Sequence, residues 1–120
     1  MAKNVLVVDD SATVRQQVRA ALEQAQFVVV EAVDGLDGAE KIRTMSDIAA
    51  VVCDVNMPKM SGIEMLEAVR PATLKLPVLM LTTEGQPSLM ARAKAAGALG
   101  WVVKPFKPAL LVAAIQKVAA

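Results

Sequence analysis

The sequence predicts an α/β fold: a five-stranded parallel sheet, doubly wound with five helices. Three observations lead there. Short, β-branched apolar runs alternate with segments of helical period from end to end. Only a few residues connect them, which favours right-handed crossovers and helices on both faces of a parallel sheet. The first, third and fourth apolar runs are unbroken, as strands covered on both faces should be.

The first strand is Val5–Val8, which runs into Asp9-Asp10. Val14, Val18, Leu22 and Ala25 then recur every three or four residues, with Arg15, Arg19 and Glu23 on other faces, as in an amphipathic helix. Gln26 stands just before Phe27, where a helix-ending glycine is common. A left-handed Gln is strained by roughly 1 kcal/mol, so an altered helix end is expected there. Phe27–Glu31 is the second strand. The segment after Asp34-Gly35 carries the weakest helical pattern, because Gly38 costs roughly 1 kcal/mol of helix stability. Ala50–Cys53, Val78–Leu81 and Trp101–Val103 are the remaining strands. Leu66 with Val69, and Leu89 with Ala93 and Ala96, mark two further helices. Leu111, Ile115 and Val118 mark the last, and Pro108 suits its opening turn. No linker, repeat or low-complexity stretch interrupts residues 1–120, so one domain is expected.

Composition removes whole classes of function. The 120 residues are 55% hydrophobic, enough for a sizeable core without staples. Thirteen basic residues against twelve acidic leave a net charge of +1, which suggests neither a nucleic-acid nor a membrane partner. No apolar run approaches the length of a spanning helix, and only Lys3 is basic ahead of the first strand, so a cytoplasmic location is expected. The single cysteine, Cys53, cannot form an intramolecular disulfide and reads as core packing. Histidine is absent, which excludes Ser-His-Asp and Cys-His hydrolases and His-bearing zinc sites. Neither a P-loop nor a G-x-G-x-x-G follows a strand. Acids, hydroxyls, lysines and backbone are left for chemistry.

In open parallel sheets, function collects outside the carboxyl ends of the strands. Asp9-Asp10 follow the first strand, Asp54 the third, Thr82-Thr83-Glu84 the fourth and Lys104-Pro105-Phe106 the fifth. Carboxylates gathered within ~5 Å repel by roughly 3 kcal/mol per pair at an effective dielectric near 20. A divalent ion relieves that repulsion, and Mg²⁺ favours one or two carboxylates together with waters and phosphoryl oxygens. Each position also has a plain reading: Asp9-Asp10 as helix caps, Asp54 as a turn acid, Lys104 as a solvated lysine, Thr82 as a β-former, Trp101 as core. None of these accounts for the set.

The blocks V-V-D-D-S, C-D-V-N-M-P, L-T-T-E and V-V-K-P-F, in that order and each at a strand end, resemble a response-regulator receiver domain over essentially the whole chain. The likeness is greatest to single-domain, CheY-like chemotaxis regulators. It implies a flavodoxin-like sheet in the order 2-1-3-4-5. It also implies that Asp54 accepts a phosphoryl group from a sensor histidine kinase. Mg²⁺, for which Mn²⁺ can substitute, would be held by Asp10, Asp54 and the Asn56 carbonyl, with Asp9 acting through water. Lys104, before a cis Pro105, would face the phosphoryl oxygens. Thr82, directly after the apolar run, would shift toward the phosphate, and Trp101, where relatives often carry Tyr, would turn inward. Asn56 and Glu84 would set the hydrolysis rate, as in the fast-cycling chemotaxis type. The output face would comprise the fourth helix, fifth strand and fifth helix, where Leu89, Met90 and Ala93 either take a helix of a downstream protein or serve ordinary packing, which accounts for them equally well. Such a protein is no turnover enzyme; it catalyses only its own phosphotransfer and dephosphorylation. With no histidine here, the donor must be another molecule.

Other readings use the same residues. The chain could be a receiver excised from a multidomain regulator, or a receiver-like scaffold that never takes phosphate. A haloacid-dehalogenase-like phosphatase also uses a strand-end Asp, but that family resembles D-x-D, and Asn56 stands at the second position. An FMN carrier shares the fold class, yet Asp9-Asp10 would repel its phosphate.

Overall fold

The computed structural model describes residues 3–55, 57, 60–69, 76–82 and 87–119. Five strands form one parallel sheet: β1 (Asn4–Val8), β2 (Val28–Ala32), β3 (Ile48–Asp54), β4 (Val78–Thr82) and β5 (Gly100–Val103). Their order is β2-β1-β3-β4-β5, so the chain moves outward from β1 on one side and then on the other. The topological switch point therefore lies between β1 and β3. Among the described residues the helices are α1 (Ala12–Gln24), α2 (Gly35–Thr44), α3 (Gly62–Ala68), α4 (Pro87–Ala95) and α5 (Pro108–Val118). None is long and apolar enough to cross a membrane.

Strand alternation divides the core in two. Leu6, Val8, Val51, Cys53, Val78 and Met80 point to one face, where they meet Ile42 of α2, Ile63, Met65 and Leu66 of α3, and Ala93 of α4. Val5, Val7, Val52, Leu79 and Leu81 point to the other, against Val18 and Leu22 of α1 and Leu111 and Ile115 of α5. Both faces of β1, β3 and β4 are thus covered, which is why those runs carry no polar alternation.

Local signals set the helix ends. Ser11 caps α1, its side chain accepting from the Val14 N–H, and Asp34 caps α2 by accepting from Asp37. Ser61 and Glu64 close a reciprocal capping box on α3. Pro108 occupies the first turn of α5, as expected.

One expectation is corrected, and the helix with the weakest sequence pattern is well formed. The end of α1 is not altered: Gln26 adopts the left-handed conformation itself, at φ 71°. Its N–H donates to the Glu23 carbonyl and that of Phe27 to Leu22, the pairing of a Schellman motif. The second helix is also well formed despite Gly38. A β-carbon at that position would lie 2.7 Å from Met65 Sδ and 3.0 Å from the Val8 methyls, so the missing side chain lets α2 sit close on β1 and α3.

Candidate functional site

The sheet brings the acids together by register. Val8 pairs with Cys53 across β1 and β3, so Asp9 and Asp54 are the next residues outward on adjacent strands. Asp9, Asp10 and Asp54 each offer a carboxylate oxygen, and these oxygens lie within 4.8 Å of one another. Asp9 and Asp54 are buried while Asp10 is exposed, so the cup is open on one side. All its donors are hard oxygens, the set that suits Mg²⁺. Octahedral Mg²⁺ at ~2.1 Å accepts oxygens up to about 4.2 Å apart, so a modest side-chain adjustment fits two of these acids to one ion.

Lys104 supplies the counter-charge. Its Nζ donates to Asp9 Oδ2 and to Asp54 Oδ1, each at 3.1 Å. The Lys104 N–H donates to the Thr82 carbonyl at 2.6 Å, which ties the ends of β4 and β5 together beside the cup. The Lys104–Pro105 peptide bond is cis, in keeping with the resemblance. Thr82 is buried at the end of β4, opposite Val103.

Burial raises the Asp54 carboxyl above its ordinary range, and Asp9 adds to the effect; Lys104 opposes both. Burial also works against the Lys104 ammonium, but its bonds and charge contacts to Asp9 and Asp54 prevail and raise it. Beneath Asp54, burial first and then Asp54 and Asp9 push the Cys53 thiol far above its usual range. That thiol donates to the Asp54 carbonyl at 3.3 Å, a packing role and not a nucleophilic one.

Helix capping is not what the paired acids do. The N-cap of α1 is Ser11, and Asp9 Oδ1 accepts from the Ser11 N–H at 2.8 Å. Asn56, Thr83 and Glu84 lie outside the described residues. Trp101 is partly buried and packs against the α2–α4 side of the core; its indole Nε1–H has no acceptor among the described residues. On the expected output surface, ordinary packing is the outcome for Leu89 and Ala93. Leu89, Ala93 and Ala96 recur with helical period because they face inward, and Ala93 is fully buried. Among the described residues, the large apolar groups exposed on that side are Met90 of α4, Leu99, Val103 of β5 and Leu110 of α5.

One functional neighbour escaped the sequence reading. Arg15, read as a polar helix face, donates from Nη1 to the Asp9 carbonyl at 2.6 Å. Its target is main chain, so no residue pattern announces it.

Comparison with known proteins places this geometry. The model of the response regulator receiver domain matches residues 5–116. The chemotaxis protein CheY1 of Helicobacter pylori is 36% identical over 110 residues, 89% of either chain. The chemotaxis protein CheY of Thermotoga maritima is 33% identical over 120 residues, 98% of either chain. The solved structure of Vibrio cholerae chemotaxis protein CheY4 superposes with a TM-score of 0.91 at 41% identity, covering 98% of this chain and 99% of that one. With the matched model spanning nearly all of its length, the chain belongs to the response regulator receiver domain family.

Proposed function

We propose that residues 1–120 act as one CheY-like receiver whose Asp54 accepts a phosphoryl group from the phosphohistidine of a sensor kinase. The observation that carries this is the convergence of three acids within 4.8 Å, two of them bonded at 3.1 Å by one lysine. A carboxylate oxygen of Asp54 forms the bond to phosphorus while the bond from phosphorus to the donor nitrogen breaks, and that nitrogen keeps the electron pair. A carboxylate is a weak nucleophile, so position and charge neutralisation are what the protein contributes.

Asp9, Asp10, Asp54 and the Asn56 carbonyl are the groups that would hold Mg²⁺ or Mn²⁺. When bound, the ion supplies positive charge against the acids and the phosphoryl oxygens. Lys104 moves from its shared bond toward the phosphoryl group. Thr82 turns its hydroxyl to the same oxygens and Trp101 follows it, while Asn56 and Glu84 set how fast water removes the phosphate. The phosphoryl group brings about −1.5 to −2 in place of the carboxylate's −1, and the net added charge of about −0.5 to −1 shifts the population between two packings of α4 and β5. Met90, Leu99, Val103 and Leu110 then present the altered face to a downstream protein. The names of the relatives support a chemotaxis pathway, and the cytoplasm is the location proposed with it. The protein processes no external substrate beyond its phosphoryl donor.

Acetyl phosphate with Mg²⁺ should add about 80 Da, the mass of one phosphoryl group, to the wild type and nothing to Asp54→Ala. A wild type left unmodified would instead support a scaffold that never takes phosphate. Turnover of a general phosphatase substrate would favour the dehalogenase-like reading, and a yellow purified protein the flavin one. Trp101 fluorescence should respond to Mg²⁺; a flat titration would uncouple it from the metal site.

A further inference from the structure

Arg15 and Arg19 stand one turn apart on α1, and both reach Glu31 on β2. Arg15 Nε donates to Glu31 Oε1 at 2.9 Å, and Arg19 Nε lies 3.0 Å from Oε2. Their other arms part company. Arg19 Nη2 donates to the Val29 carbonyl at 3.0 Å, which stays within β2. Arg15 Nη1 donates to the Asp9 carbonyl at 2.6 Å.

We infer that Arg15, oriented by Glu31, is a positioning residue that sets where the acids of the cup stand for a divalent cation. The inference rests on the receiver reading of that cup. Asp9 is held at every polar atom: its N–H by the Ala32 carbonyl, Oδ1 by the Ser11 N–H, Oδ2 by Lys104 and its carbonyl by Arg15. That carbonyl belongs to the peptide unit joining Asp9 to Asp10. Its rotation moves both residues relative to Asp54, and Arg15 is the side chain that restrains it. The Arg15 side chain is only 14% exposed, so its bonds are poorly replaced by water.

Coulomb attraction and positioning predict opposite signs. Removing a positive charge near the acids should, by charge alone, tighten cation binding. Loss of a restraint should weaken it, and outer partners of metal ligands typically matter by about 10–100-fold. Arg15→Gln and Arg19→Gln change the charge equally and both break into the Glu31 pair, but only Arg15→Gln releases Asp9.

The test is calorimetric titration of the unphosphorylated full chain with Mg²⁺ alone. Arg15→Gln should bind about tenfold more weakly, the lower end for an outer partner because it acts through backbone, and Arg19→Gln should stay within about twofold of wild type. If Arg15→Gln does not fold, Arg15→Lys keeps the charge without the fork and should bind about threefold more weakly, with Arg19→Lys unchanged. Affinity in the Arg15 variant equal to or tighter than wild type, or equal losses at both arginines, overturns the inference alone. A wild type that binds no Mg²⁺ overturns the receiver reading together with it.

Discussion

Gly62→Ala tests the packing beneath Asp54. Gly62 opens α3, and its N–H donates to the Val55 carbonyl at 3.0 Å. A β-carbon there would lie 2.2 Å from the Asp54 carbonyl oxygen, 2.9 Å from Cys53 Sγ and 3.0 Å from Met80 Cε. The Met80 methyl can swing away. The other two contacts have no such freedom: Cys53 is fully buried with its thiol on that same carbonyl, and the carbonyl is part of the β3 backbone. Ordinary contact begins at 3.4 Å, so either the start of α3 must retreat or the Asp54 peptide must rotate. Overpacking of this kind costs about 1–3 kcal/mol. A strained or broken Gly62–Val55 hydrogen bond adds about 1 kcal/mol. A loss of about 2–4 kcal/mol follows, and with an m-value near 2 kcal/mol/M the urea midpoint falls by about 1–2 M. Labelling by acetyl phosphate, compared at equal folded fraction, should slow as well, because the rotated peptide is that of Asp54. Gly38→Ala is the internal contrast: the flexible Met65 sulfur can yield, and alanine gains about 1 kcal/mol of helix propensity, so its net effect stays within about 1 kcal/mol. A Gly62→Ala loss below about 1 kcal/mol, or an equal loss at Gly38, would refute the reasoning.

Gln26→Gly should stabilise the protein by about 0.5–1 kcal/mol, since glycine accepts the left-handed position freely but gives up more unfolded-state entropy; unchanged denaturant midpoints would count against it. Burial and Asp9 raise the Asp54 carboxyl above its ordinary 3.8, so the folded state disfavours its charge and stability falls as pH rises through the window above 3.8. Asp54→Asn should therefore be more stable than wild type at neutral pH, with the gap closing as pH falls toward 3.8 and absent below it, in paired urea titrations. Mg²⁺ at a hundredfold excess over its Kd should stabilise the wild type by about 2.7 kcal/mol, an effect that a chelator reverses and Asp10→Asn largely removes; equal shifts in both proteins would displace Asp10 from the metal site.

The parts of the fold that could be read from sequence are those where one physical demand dominates. Val5–Val8 is an unbroken apolar run because both sides of β1 are buried, and its residues are fully covered. Strand ends obey a different demand. Val28 lies at the start of an edge strand with its side chain exposed, and Ile48 joins β3 through main-chain pairing with Asn4, which apolar pattern does not encode. Gly38 weakens the α2 pattern because its helix penalty is local, whereas the close packing on Val8 and Met65 that it favours is tertiary. Leu89 and Ala93 are legible as helical, but core and outer face stay equally open for them in the sequence, since the period identifies a stripe without saying which way it turns; the structure turns them inward. The acids and Lys104 were legible because strand-end position in a parallel sheet fixes where they meet. Arg15 was not, since a carbonyl partner leaves no residue pattern.

The cup is poised by near cancellation. Each contact of Lys104 at 3.1 Å is worth roughly 5 kcal/mol at an effective dielectric of 20. Each acid pair, at a separation of at most 4.8 Å, costs roughly 3.5 kcal/mol or more on the same scale. Two such attractions therefore about offset three repulsions, before the burial of Asp9 and Asp54 is counted against them. That residual cost is what raises the Asp54 carboxyl in spite of the adjacent ammonium. A site balanced in this way gains from any added cation and cannot absorb further negative charge without one. For the proposed chemistry the consequence is directional: cation binding should be favourable before phosphorylation and more so after it. By linkage, the Mg²⁺ affinity of the phosphorylated protein must exceed that of the unmodified one by the same factor that Mg²⁺ shifts the phosphorylation equilibrium. Equal affinities in the two states would mean that Lys104 alone neutralises the new charge, and the case for a metal-dependent cup would fail.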